Sequence, residues 1–165
     1  MNDAKMMIDM ENVPVQIKPK LEAAANFYAN LLMDPRMVSN IALTIAIEYD
    51  NEMQGECFTY DDHKRPRDFK IIIRNKDTDD DIFQTLAHEM VHVKQYAKRE
   101  LVTGILSVNR NGNLVIYSEW QGKPWKPRAK EDPYFDSPYE IEAYGREVSM
   151  RDRFNDYWKS RDESS

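Results

Sequence analysis

Leu86-Ala-His-Glu-Met-Val-His-Val93 lies inside a run from Thr78 to Arg99 that contains no glycine or proline, and its spacing decides how the rest of the chain is read. At about 100° per residue, Ile82, Phe83, Leu86, Met90, Val93 and Ala97 form one apolar arc, which predicts a helix with one face in the core. His88 and His92, four residues apart, fall together on the opposite side, beside Thr85, Gln95 and Arg99. The acidic stretch Asp77 to Asp81 surrounds Thr78, which suits a helix start with carboxylates at the positive end of the dipole. It lacks the glycine and distal glutamate of a calcium-binding EF-hand loop.

Moving outward, Phe69 to Arg74 (Phe-Lys-Ile-Ile-Ile-Arg) is the clearest strand, with Ile41 to Tyr49 and Cys57 to Tyr60 as two more. Pro19 opens a helix through Leu21, Ala24, Ala25, Phe27, Tyr28, Leu31 and Leu32, which stops near Asp34-Pro35. Beyond the histidine helix, Ile105 to Val108 and Leu114 to Tyr117 flank Asn111-Gly112 as a hairpin. Gln121 to Pro133 reads as irregular and basic. Ser137-Pro138 opens a last helix that continues to Trp158. The expected fold class is α+β, a small antiparallel or mixed sheet packed on the histidine helix, with a C-terminal helix completing the site. One domain spans 1–165, with residues 1–12 and 160–165 as loose ends.

Composition narrows the class. The chain has 165 residues, 41% hydrophobic and 32% charged, with a net charge of −6 and five glycines. A core can form, and a dedicated nucleic-acid binder is disfavoured. The lone Cys57 excludes an internal disulfide framework and a cysteine-rich zinc site. The N-terminal residues show no secretory-signal pattern, and Ile41 to Ile47 is too short to span a bilayer. The expected location is therefore cytoplasmic, and no membrane partner is expected.

The histidine pair carries the chemistry. His88-Glu89-Met90-Val91-His92 is H-E-x-x-H, which on a helix brings both imidazoles to one metal ion with Glu89 beside them. With three histidines in 165 residues, roughly 0.004 such matches are expected by chance. Zn²⁺ takes imidazole ligands and leaves a place for water, whose proton Glu89 can accept as general base. A third ligand is needed. His63 is the only other histidine and reads as a solvated loop residue within Asp61-Asp-His-Lys-Arg-Pro66.

A carboxylate from the last helix is the better choice. There Tyr139, Ile141, Ala143, Tyr144, Val148, Met150, Phe154 and Trp158 define a broad buried arc, and Glu142, Arg146, Ser149, Arg153 and Asp156 the solvent side. Glu140 falls within the buried arc and is the expected ligand, since an inward carboxylate needs a partner. Two competing readings stand. Glu147 lies two turns along nearly the same column, and Ser137-Pro-Tyr-Glu140 also matches a capping box. Tyr144, one turn beyond Glu140, reads either as a core tyrosine or as a catalytic-site group that orients a ligand or donates to an oxyanion.

Leu86-Ala-His-Glu-Met-Val-His-Val93 and Glu140-Ile-Glu-Ala143 together resemble the gluzincin metallopeptidases. The second stretch is similar to the E-x-x-A element that supplies the third ligand in HtpX-type and ImmA-type proteases. Those follow it with Asp or Asn, where this chain has Tyr144. The resemblance covers about a quarter of the chain. It implies a zincin-like fold, a Zn²⁺ cofactor held by His88, His92 and Glu140, and zinc-dependent hydrolysis of a protein or peptide substrate. It also implies an edge strand that pairs with an extended substrate.

Two alternatives belong beside it. One is a non-catalytic zinc-binding interaction module. The other is a nucleic-acid-associated protease like the SprT-like domains, suggested by Lys123-Pro-Trp-Lys-Pro-Arg-Ala-Lys130. SprT-like domains use a third histidine, and none follows His92. The basic stretch reads more simply as a solvated loop pinned by its tryptophans. There is no phosphate-binding glycine loop, no G-x-S-x-G elbow and no cysteine–histidine pairing.

Overall fold

A computed structural model describes residues 3–49, 54–61, 64–74, 78–125 and 137–163. β1 (Met7–Glu11) leads through a single 3₁₀ turn to α1 (Lys18–Leu32), then α2 (Pro35–Ser39) and β2 (Ala42–Glu48). β3 (Gly55–Thr59), β4 (Asp68–Arg74) and α3 (Asp79–Ala97) follow, then β5 (Leu101–Val108), β6 (Leu114–Trp120), β7 (Lys123–Trp125) and α4 (Pro138–Glu163). The fold is α+β, as the sequence predicts. One sheet runs β1-β2-β4-β3 and a second, separate one runs β5-β6-β7. No helix among the described residues is long and apolar enough to cross a membrane.

The larger sheet is mixed. β2 lies between β1 and β4, parallel to both, while β3 pairs antiparallel with β4 and forms an outer edge. Alternation along β4 buries Phe69, Ile71 and Ile73 on the helical side. α1 buries Leu21, Ala24, Ala25, Tyr28, Ala29 and Leu32, a three-and-four spacing that fits one core-facing stripe. Tyr28, fully buried, donates its hydroxyl to the Phe83 carbonyl at 3.2 Å, so α1 and α3 share a polar contact inside the core. Phe83 stacks on Phe154 at 5.7 Å, and Phe154 also meets Phe27 and Tyr28, so α4 is anchored on both α3 and α1.

Helix α3 is therefore central. Thr78 caps it, its hydroxyl accepting from the Asp81 amide at 3.2 Å, with Asp79, Asp80 and Asp81 in the first turn. Arg99, at φ 58°, turns the chain out of the helix toward β5. The polar side predicted for this helix is not solvated. α4 covers it, leaving His88, Glu89, His92, Lys94 and Gln95 buried.

Several expectations need correction. Residues 7–11 are not a loose arm: Ile8 and Met10 turn inward in alternation, and the strand adds to β2 as an edge. Two asparagines on α1 hold the preceding segment, Asn30 by both backbone groups of Ala4 and Asn26 by the Met6 amide. Five alternating residues with polar neighbours made too short a pattern to distinguish from an extended arm. Pro35 starts the extra helix α2, capped by Asp34 at 3.0 Å from the Met37 amide. Lys123–Trp125 is a strand, although the sequence reads it as irregular. α4 runs past Trp158 to Glu163, so most of the expected loose tail is helical.

The buried side of α4 is narrower than predicted. Ile141, Tyr144 and Val148 are exposed, while Glu140, Ala143, Met150 and Phe154 are buried and Glu147 is partly so. Such a seam, repeating every three and four residues, is what a helix buries against one neighbouring helix rather than against a wide sheet face. Glu142 is not a solvated surface residue either. It reaches Lys94 and Gln95 on α3.

Candidate metal centre

One helical turn separates His88 and His92, so their rings lie 5.0 Å apart, edge to face. Glu140 comes from the first turn of α4, and its two oxygens divide between them. Oε2 is 3.0 Å from His88 Nε2 and Oε1 is 3.0 Å from His92 Nε2. Relative exposures of 6%, 8% and 4% for His88, His92 and Glu140 remove all three from bulk water. Among the described residues they are the one group of three His, Cys, Asp or Glu whose ligand atoms lie within 4.8 Å of one another.

This donor set fits zinc. Two imidazoles and a carboxylate form a familiar catalytic-zinc set, and ligand bonds of about 2.0–2.1 Å in a tetrahedron place donors about 3.3 Å apart. The two 3.0 Å spacings run to different oxygens of Glu140, and with one ligand atom from each residue the three lie within 4.8 Å of one another. The outer nitrogens agree with that reading. His88 Nδ1 is 2.7 Å from Glu147 Oε2, and His92 Nδ1 is 2.8 Å from Gln95 Oε1. Each ring thus has an acceptor at Nδ1 as well as a Glu140 oxygen at Nε2, so that with a metal bound the proton would stay on Nδ1 and the Nε2 lone pair would be the one offered.

Glu140 is therefore where the phase argument places it, and the capping-box role is not what its oxygens serve. Glu147 is an outer partner of His88, not the third member of the cluster. Gln84 Nε2 donates to the other Glu147 oxygen at 2.7 Å, and Arg151 donates to Gln84 in turn. Tyr144 is not a core tyrosine. It is 41% exposed, and its ring meets the His88 ring at 4.5 Å. His63 lies outside the described residues.

Electrostatics follow from burial. In the chain without metal, burial alone would depress the His88 pKa, but Glu140 and Glu147 outweigh it and raise it to about 9. His92 is raised likewise: burial opposes, and Glu140 prevails. Glu140 shows the reciprocal effect, its burial outweighed by the two imidazoles, and is held at about 2. The centre therefore stabilises positive charge beside an ionised carboxylate. Glu89, buried beside the pair, is pushed up to about 7 by burial, against the opposing charges of His92 and His88.

Glu89 faces β3. A cavity of about 280 Å³ is lined by Glu89, His92 and Glu140 on one side and by Gly55, Cys57 and Thr103 on the other. Gly55 makes this approach possible. A Cβ there would lie 2.7 Å from Thr85 Cγ2 and 2.8 Å from Glu89 Oε1. Gly55→Ala is accordingly expected to destabilise the fold by about 1–3 kcal/mol through overpacking. Urea unfolding checks this, and an unchanged midpoint would remove the close-approach role. Cys57 stays a thiol, its pKa raised by burial and then by Glu89.

The sequence reading missed Gln84, Lys94, Gln95, Glu142 and Arg151 as supports of the centre. Gln95 carried a local signal, because it sits three residues after His92 on the same helical side. Trp120 and Trp125 pack near Tyr139, at 6.1 and 5.6 Å. Residues 126–130 of the basic stretch lie outside the described residues. Compared with protein-family models, curated proteins and solved structures, the chain has no match.

Proposed function

We propose that this chain is a zinc-dependent metallopeptidase, with His88, His92 and Glu140 as metal ligands and Glu89 as general base. The observation that carries the reading is the convergence of both Nε2 atoms on the two oxygens of Glu140, with a buried Glu89 at the adjoining cavity. Zinc held by this set would supply the activation of a water and the polarisation of the scissile carbonyl. The carboxylate of Glu89 accepts the proton of the attacking water and passes it to the leaving amine nitrogen. Its burial keeps competing water away and suits a group that must both take and return a proton. Tyr144 packs its ring on His88 and serves to orient that ligand.

The substrate in this scheme is an extended peptide. β3 is an edge of its sheet, and its residues Gly55, Glu56, Cys57 and Phe58 line the same cavity as Glu89. Main-chain pairing along that edge would set a peptide bond beside the metal ligands.

Two measurements test the proposal. Zinc at about 100 times its dissociation constant is expected to stabilise the fold by about 2.7 kcal/mol, a rise of roughly 5–10 °C in unfolding temperature. The zinc-loaded chain is expected to cleave a denatured casein-like protein, to stop on chelation and to recover when zinc is returned. A chain that gains the thermal shift but cleaves no peptide bond would be a binding module instead.

A further inference from the structure

We propose that Gln95 is a positioning residue of this centre, locking His92 so that Nε2 alone faces the metal, and that Glu142 and Lys94 act through it. The proposal rests on the zinc reading above. Gln95 is fully buried, and its amide is engaged on every side. Its Nε2 donates to the Tyr139 carbonyl and to Glu142 Oε1, both at 2.9 Å. With both amide hydrogens directed there, Oε1 is the atom 2.8 Å from His92 Nδ1. An amide oxygen only accepts, so Nδ1 carries a proton, and with zinc bound the Nε2 lone pair is the one that would serve the metal.

The amide cannot turn over. A flipped Gln95 would set its oxygen against a carbonyl and a carboxylate, and its NH₂ group against the Nδ1 hydrogen. Glu142 is itself fixed, with Oε2 2.7 Å from Lys94 Nζ and 3.1 Å from Arg146 Nε. Lys94, buried within α3, makes a second ion pair with Glu100 at 2.8 Å. The charges of this chain thus neutralise one another, and a neutral amide passes only orientation to the ring. His88 is held differently, with the Glu147 carboxylate directly on its Nδ1.

The test is the zinc affinity of the full chain, measured by competition with a chromogenic chelator. It compares the parent with Gln95→Met, Glu142→Ala and the double variant, with thermal unfolding of each metal-free form alongside. Methionine matches the length of glutamine without its donors. Gln95→Met is expected to weaken zinc about 10- to 100-fold, and Glu142→Ala about tenfold. The double variant is expected to be no weaker than Gln95→Met alone, because Glu142 acts through Gln95.

A packing role alone would lower the unfolding temperature and leave the affinity of the folded protein within about threefold of the parent, which overturns the proposal. Additive losses in the double variant overturn it as well. Should Gln95→Met fail to fold, the partly exposed Glu142 site decides alone: affinity within about threefold of the parent is the overturning result. A parent that binds zinc beside indifferent variants ends only this proposal. A parent that binds no zinc ends the metal reading too.

Discussion

Glu89→Gln is expected to keep its full zinc content and to lose about 10²- to 10⁴-fold in peptide hydrolysis. Glutamine preserves the size of the side chain, so the buried position between β3 and α3 stays filled. It leaves unchanged the three members of the ligand cluster, His88, His92 and Glu140. What it removes is the ability to take a proton from water and return it to the leaving nitrogen. The effect should therefore fall on kcat, with KM little changed. Metal analysis and peptide kinetics on the same preparation check both halves. Hydrolysis at the parental rate would remove Glu89 from the mechanism, whatever the zinc content.

Glu140→Ala is expected to weaken zinc by more than about 100-fold, beyond the 10- to 100-fold that loss of an outer partner costs. The ranking against Glu147→Ala makes this decisive. Glu140 offers an oxygen to each Nε2 at 3.0 Å, whereas Glu147 meets His88 only at Nδ1. Removing Glu140 deletes a ligand. Removing Glu147 leaves the ligand set intact and loosens one ring. Chelator competition on Glu140→Ala, Glu147→Ala and His88→Ala should place the first and third together and the second nearer the parent. Full occupancy in Glu140→Ala would sink the ligand assignment.

How far the site was legible depends on the range of the forces that make it. The H-E-x-x-H spacing and the phase of α3 are local, since a side chain's direction follows from its place on the helix. Glu140 was legible for a related reason: a carboxylate on the inward column of a helix needs a partner, and a metal is one. Glu142 was misread by the same logic. Its phase points away from the buried column, yet at this end of α4 the flank also reaches α3, where a buried Lys94 and Gln95 require partners. Tyr144 and Val148 erred in the opposite direction, because α4 meets a helix and buries only a seam.

By itself, then, the sequence determined the α+β class, the central helix, and the placement of two histidines together on the side opposite its apolar arc. It also determined Glu140 as the inward carboxylate of the last helix. Only the tertiary structure decided that the polar side of α3 is buried, that residues 7–11 join the sheet, and which outer groups hold each imidazole. Periodicity records which way a side chain leaves its own helix. What stands opposite is set by docking a segment 52 residues further along, as His88 and Glu140 are separated. That docking turns a polar helix face into an interior where each histidine nitrogen meets a partner.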